Sequence, residues 1–96
     1  MRELRHLRCF LAMAEEVHFA RAAERLHIEQ SPLSRAIKDL EHDLDAQLVE
    51  RTTRSTRLTW AGQVFLDEAK CVLSDVDQAK ASAKAAAAGY RGTPRV

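Results

Sequence analysis

Residues 19–38 constrain the fold of this chain more than any other stretch, because they predict two short helices joined by a tight turn. The first helix, about residues 19–26, has an inward face made of Phe19, Ala22, Ala23 and Leu26. Its small alanines would let a crossing helix approach closely. Ile28 is expected to plug the turn at residues 27–29. The second helix opens with polar and basic residues that fit a DNA groove, so the block predicts a helix-turn-helix that reads DNA.

The second helix is expected over about residues 31–44. Ser31 is a favourable N-cap, and Pro32 suits the first helical position because its missing N–H costs nothing there. One face carries the apolar stripe Leu33, Ile37, Leu40 and Leu44. The side chains off this stripe are predicted to lie in the major groove: Gln30, Ser31, Pro32, Ser34, Arg35 and Lys38. Gln30 could bond adenine and Arg35 guanine, whereas Lys38 would contact phosphate.

Other elements complete a winged helix. An amphipathic helix is expected over about residues 3–16, and two short strands are expected at 48–51 and 56–58 around a loop. The fold class is therefore mainly α, a winged helix-turn-helix of three helices and a two-stranded wing. In the wing, we expect DNA contacts from Arg51, Thr53 and Arg54, with Arg54 in the minor groove.

A long final helix is predicted from Thr59, an N-cap candidate, to about residue 88, which is roughly 43 Å. Apolar residues along it step by four and three, as in a coiled-coil seam: Phe65, Ala69, Val72, Val76, Ala79, Ala83 and Ala86. A second copy of the chain is expected to cover this seam, and the alternative is an alanine-rich helix stabilised by propensity alone. The expected organisation is 1–58 winged domain, 59–88 linker and dimerisation helix, and 89–96 hinge.

Composition narrows the class of protein. The net charge is only +1, but two basic patches flank an acidic strip at residues 39–50. This distribution fits one face aimed at phosphate and another aimed away, and it fits a solvated surface of mixed charge equally well. Two cysteines in no CxxC pattern suit a reducing cytoplasm and are expected to be packed side chains. No apolar run approaches the roughly 20 residues of a membrane span. We find no metal-ligand spacing, catalytic triad or glycine-rich phosphate loop, so we expect no enzyme and no cofactor.

These motifs together resemble the N-terminal DNA-binding domain of LysR-type transcriptional regulators. Order and spacing match over residues 2–88, through the blocks LRHLRCF at 4–10, AAERLHI at 22–28, QSPLSR at 30–35, LEHDL at 40–44 and RLTWAG at 57–62. The resemblance implies a dimer that joins through the long helix and binds inverted repeats in double-stranded DNA. It also implies a longer, tetrameric parent protein with an effector-binding domain, a small-molecule inducer and RNA polymerase as a further partner.

Four positions depart from the pattern of that family. Glu29 replaces a common capping Ser, and Ala20 replaces a Thr or Ser that often touches phosphate. Asp45 replaces a common Gly just past a helix end, where a left-handed residue is expected. Val49 replaces a common Phe and leaves a smaller core side chain beneath the wing.

Two other functions are compatible with the same fold. One is a helical protein-interaction module that uses the long helix only for dimerisation. The other is a winged-helix nucleic-acid binder from a different regulator family.

Overall fold

The computed structural model describes residues 2–52 and 55–89. Its elements in chain order are α1 (Arg2–Glu16), α2 (Phe19–Leu26), α3 (Gln30–Leu44), β1 (Val49–Arg51), β2 (Thr56–Leu58) and α4 (Trp60–Ala87). This order confirms the predicted winged helix-turn-helix with a long final helix. The hinge predicted at 89–96 lies outside the described residues from position 90 onward, as do Thr53 and Arg54 of the wing.

The core lies between α1, α2 and α3 and is closed by the first turns of α4. Its largest fully buried side chains are Phe10, Met13, Leu33 and Leu48. The ring of Phe10 meets that of Phe65 on α4 with centroids 5.2 Å apart and a 54° tilt. Such aromatic pairs contribute about 0.5–1.5 kcal/mol beyond the area that they bury. The first turns of α4 therefore belong to the winged domain.

The start of α3 differs from the prediction. Glu29, and not Ser31, is the N-cap, and its side chain makes no capping hydrogen bond. The backbone is already extended at Glu29 (φ −79°, ψ 162°), so the helix begins one residue earlier, at Gln30. Pro32 becomes the third helical residue instead of the first. It is still tolerated because the N–H groups of the first turn have no partner within a helix.

Two predicted apolar contacts are wrong. Ile28 does not plug the turn, since 38% of it is exposed, and Leu44 at the end of the α3 stripe is 43% exposed. Residues 42–45 are all exposed, which shows that the last turn of α3 extends past the core. Ala36 takes a place in the buried stripe with Leu33, Ile37 and Leu40.

Asp45 ends α3 in the left-handed conformation predicted for it, with φ 53° and ψ 44°. Its N–H donates to the His42 carbonyl, and the N–H of Ala46 donates to the Glu41 carbonyl. These two bonds close the helix end in the way that a glycine usually does.

The wing is a short antiparallel hairpin in which Val49 pairs with Leu58, Glu50 with Arg57 and Arg51 with Thr56. Its entry is held from α3, because Oε2 of Glu41 accepts hydrogen bonds from the backbone N–H of Leu48 (2.8 Å) and of Val49 (3.2 Å). Strand β1 begins at Val49, one residue later than predicted.

Thr59 caps α4 as predicted, since its hydroxyl accepts from the backbone N–H of Gly62 at 2.9 Å. The same hydroxyl donates to the Gln47 carbonyl. Gly62 lies so close to the chain before the wing that a Cβ there would overlap the Leu48 carbonyl oxygen. A glycine at this position lets α4 pack directly against that backbone.

The predicted seam of α4 is divided between two environments. Ala69 is 2% exposed and Phe65 packs on Phe10, so these two residues belong to the core of their own chain. For Ala69 this corrects the prediction that a second copy covers it, whereas Phe65 is only half-buried and its place in a dimer seam stays a prediction. Val72 is 43% exposed, Val76 is half-buried, and Ala79, Ala83 and Ala86 are exposed.

The two cysteines also differ. Cys9 is buried in the core, and burial raises the pKa of its thiol. Cys71 is exposed on α4, which corrects the expectation that both are packed. In the described parts of the chain, no helix is long and apolar enough to cross a membrane.

Candidate nucleic-acid interface

A cleft of about 370 Å³ opens where the starts of α2 and α3 face the wing. Its walls include His18, Phe19, Gln30, Arg51, Thr52 and Ser55. The cleft joins the two elements that the sequence predicted to touch DNA, the recognition helix and the hairpin.

The predicted major-groove residues form one accessible polar face on α3. Five of them are exposed and Ser34 is half-buried: Gln30, Ser31, Pro32, Arg35 and Lys38. Over residues 3–52 and 55–89, the side chains of Arg35 and Lys38 have no ion pair or hydrogen bond. Their charges and donors are therefore available to a ligand.

The packing of α2 explains why this face points outward. Ala22 and Ala23 are buried, and their small side chains let α3 pack closely against α2 through its apolar stripe. His27 then reverses the chain in the left-handed conformation, with a φ of 59°. The N–H of His27 donates to the Glu24 carbonyl, and the N–H of Ile28 donates to the Ala23 carbonyl. The turn leaves the beginning of α3 free on the side opposite its core.

Two helix N-termini border the cleft without a side-chain cap. Neither His18 before α2 nor Glu29 before α3 makes a capping hydrogen bond. The first N–H groups of a helix carry partial positive charge and need acceptors from outside the helix. An anion such as a phosphodiester can supply them. The negative charge of the Glu29 carboxylate would repel an anion at the start of α3, so the start of α2 is the more favourable place for an anion to bind.

The described part of the wing is held in shape by short hydrogen bonds. The N–H of Thr52 donates to the Ser55 carbonyl at 2.8 Å, and the N–H of Ser55 donates to the Thr52 hydroxyl at 2.9 Å. Arg57 is paired with Glu50 across the strands at 3.2 Å. Arg51 instead lies over the Phe19 ring, with its guanidinium carbon 4.0 Å from the ring centroid.

Several acidic side chains line a second surface, outside the cleft. A separate depression of about 340 Å³ is lined by Glu3, His6, Asp39, His42 and Asp43, from α1 and the second half of α3. Of the predicted acidic strip, Asp39 and Asp43 thus lie on a surface outside the cleft, whereas Glu50 lies on the wing and pairs with Arg57. Among the residues that the structure describes, no group of three or more His, Cys, Asp or Glu could hold a metal ion.

Two residues that organise the interface were not found from the sequence. In the sequence, Glu41 is one member of the acidic strip, and Phe19 is an apolar residue on the inward face of its helix. Their partners, the N–H groups at the start of the wing and the Arg51 guanidinium, are distant in the chain. No local spacing signals either contact.

Comparison with known proteins identifies the family of the chain. A family model described as "Bacterial regulatory helix-turn-helix protein, lysR family" matches residues 4–63. The uncharacterized HTH-type transcriptional regulator YnfL of Escherichia coli K12 is 51% identical over 94 residues, which cover 98% of this chain and 32% of that protein. The chain therefore spans about a third of the length of this relative.

Solved structures extend the comparison to DNA complexes. The BenM DNA-binding domain bound to catB site 1 DNA superposes with a TM-score of 0.87 at 45% identity and covers 92% of this chain and 98% of that one. BenM is a regulator of Acinetobacter baylyi. The CbnR DNA-binding domain in complex with DNA gives a TM-score of 0.81 at 40% identity, over 88% of this chain and 97% of the other.

Proposed function

This chain belongs to the lysR family of bacterial regulatory helix-turn-helix proteins, and we propose that it reads an inverted-repeat promoter site as a dimer, with α3 in the major groove and the wing in the minor groove. The observation that carries the proposal is the exposed polar face of α3 beside a cleft bordered by two uncapped helix N-termini. A phosphate backbone that enters this cleft would bring the first half of α3 to the base edges.

Each residue of the α3 face has a chemical role in this proposal. Arg35 can donate two hydrogen bonds to guanine, and the amide of Gln30 can pair with adenine. Ser31 and Ser34 are short enough to reach base edges or phosphate, and Pro32 offers an apolar surface to a thymine methyl. Lys38, one turn further along, would contact phosphate and fix the register of the helix.

The wing would supply the second contact through Thr53 and Arg54, whereas Arg51, which the sequence predicted to contact DNA directly, would support the wing from the wall of the cleft. Arg54 is suited to a narrow A·T minor groove, where negative potential is strongest. Arg51 borders the cleft beside Thr52 and Ser55, so the wing lies on the same surface as α3.

Dimerisation is proposed through the second half of α4. The helix has 28 residues and is about 42 Å long. Asp77 on α4 pairs with Arg8 on α1, and the residues of α4 that follow Asp77 are exposed. Val72, Val76, Ala79, Ala83 and Ala86 would form the seam. Because most of these side chains are small, the contact is expected to weaken toward the C-terminal end.

The whole protein is proposed to be a non-catalytic, cytoplasmic regulator. In that proposal residues 1–58 bind DNA, residues 59–88 dimerise and residues 89–96 lead into an effector-binding domain that senses a small-molecule inducer. The parent would be a tetramer and could contact RNA polymerase. The length of the regulator that this chain matches supports a longer parent, since the chain spans 32% of it.

Selection from a random duplex library tests the proposal. The purified chain would be incubated with the library at about 50 and about 200 mM salt, and the retained DNA would be sequenced. We expect an inverted repeat with half-sites about one helical turn apart, together with a steep loss of affinity at the higher salt. Retention that is weak, unenriched and insensitive to salt would instead indicate a protein-interaction module.

A further inference from the structure

We propose that Arg51 is a positioning residue for DNA binding, and that its guanidinium, stacked on Phe19, sets the angle of the wing against the recognition unit. The inference rests on the proposed function, since it concerns how the wing meets DNA. It differs from a direct phosphate contact, because Arg51 would act through Phe19 and not through the ligand.

The contact joins the two walls of the cleft. Arg51 is the last residue of β1, and Phe19 is the first residue of α2. The guanidinium carbon lies 4.0 Å from the ring centroid, which is within the range of a cation–π interaction. Phe19 is 7% exposed and cannot move without disturbing the core. The ring therefore serves as a fixed platform for the wing.

The hairpin needs such a contact because its strands are short and few residues attach it to the helices. Each strand has three residues. At the base of the hairpin, Val49 is buried and Leu58 is half-buried, and Glu41 holds the N–H groups at its entry. At the other end of the ladder, the pair Arg51 and Thr56 is followed by the loop. The Arg51 stack is thus placed where a small tilt of the hairpin would move its tip most.

The neighbouring arginine provides a matched control. Arg57 lies on β2 and pairs with Glu50 across the strands, a contact that does not reach α2. Replacing each arginine with lysine keeps the charge but removes the planar guanidinium, which stacks on aromatic rings better than an ammonium does. Arg51→Lys should therefore affect the wing, whereas Arg57→Lys should not.

The first arm of the test uses the DNA-free chain. NMR spectra of wild type should show the Arg51 side-chain protons shifted upfield by the Phe19 ring, and this shift should vanish in Phe19→Leu. Ordinary, unshifted Arg51 resonances in wild type would overturn the proposal. This arm does not depend on whether the chain binds DNA, so it remains decisive if the library selection yields no site.

The second arm measures affinity for the duplex recovered from the library. We expect Arg51→Lys and Phe19→Leu each to weaken binding by about two- to fivefold, the range expected for an exposed cation–π contact. The double variant should bind no more weakly than the worse single variant, because both remove one interaction. Additive losses would overturn the proposal, as would wild-type affinity of Arg51→Lys.

Two further binding measurements distinguish a positioning role of Arg51 from a direct phosphate contact and from a general loss of folding. The first uses a duplex shortened to remove the flank that faces the wing. On it, Arg51→Lys should bind as tightly as wild type, and a loss of affinity that persists would contradict a role in the wing. The uncharged variant Arg51→Met should keep the salt dependence of wild type. A slope reduced by about one counterion would identify a direct phosphate contact and overturn the proposal.

Discussion

The Glu41 carboxylate provides the most specific stability prediction, because one oxygen on the recognition helix receives both N–H groups at the entry to the wing. Substitution Glu41→Ala would leave the N–H groups of Leu48 and Val49 without an acceptor. Both residues are buried, at 1% and 6% exposure, so water cannot readily replace the carboxylate.

The expected loss of stability follows from these two bonds. A hydrogen bond to a charged group contributes about 1.5–3 kcal/mol when it is well shielded. Glu41 is only half-buried, so solvent screening favours the lower end of that range. We therefore expect Glu41→Ala to lower the free energy of unfolding by about 2–3 kcal/mol. Glu41→Gln keeps a carbonyl acceptor and should lose about 1 kcal/mol.

Thermal and urea unfolding followed by circular dichroism would measure these losses. A change of 2–3 kcal/mol corresponds to a Tm lower by roughly 10–20 °C in a domain of this size. Asp43→Ala is the matched control, since Asp43 is exposed on the same helix and its removal changes the net charge equally. If Glu41→Ala melted within about 2 °C of that control, the carboxylate would not hold the wing and the reasoning would be refuted.

Three further predictions concern single positions. Asp45→Gly should stabilise the chain by up to roughly 1 kcal/mol in urea unfolding, because Asp45 has a φ of 53° that glycine adopts without strain, and a destabilised variant would count against this. Gly62→Ala should lower the Tm, because its Cβ would overlap the Leu48 carbonyl oxygen, and an unchanged melting curve would contradict that close approach. A thiol-reactive dye should label Cys71 at once and Cys9 only after unfolding, because burial raises the pKa of the Cys9 thiol, and two rapidly labelled thiols would disprove the packing.

Much of the fold was predictable from local patterns. Helical periodicity gave the four helices to within about one or two residues, and Thr59 and Asp45 were correctly predicted at helix ends. These features depend on neighbours in the sequence. The position of the α3 cap was predicted wrongly at Ser31, because the extended backbone at Glu29 is set by the preceding turn and not by capping propensity.

The contacts that arrange the interface could not be predicted in the same way. Glu41 reaches N–H groups seven and eight residues ahead, and Arg51 reaches a ring on another helix. The burial of Ala69 likewise depends on how α4 lies on α1, whereas its heptad spacing fits either an intramolecular or an intermolecular contact. Periodicity identifies an apolar face but does not specify its partner.

A base-pair substitution scan of the selected duplex would show whether the first half of α3 reads bases. Affinities of wild type and Arg35→Ala would be measured for each single substitution in one half-site. We expect wild type to lose about 1–3 kcal/mol of binding free energy at a particular G·C pair. Arg35→Ala should no longer discriminate at that position while it still does so elsewhere. An equal loss of affinity on every duplex, with discrimination unchanged, would show that Arg35 contributes only charge and would contradict base reading by this helix.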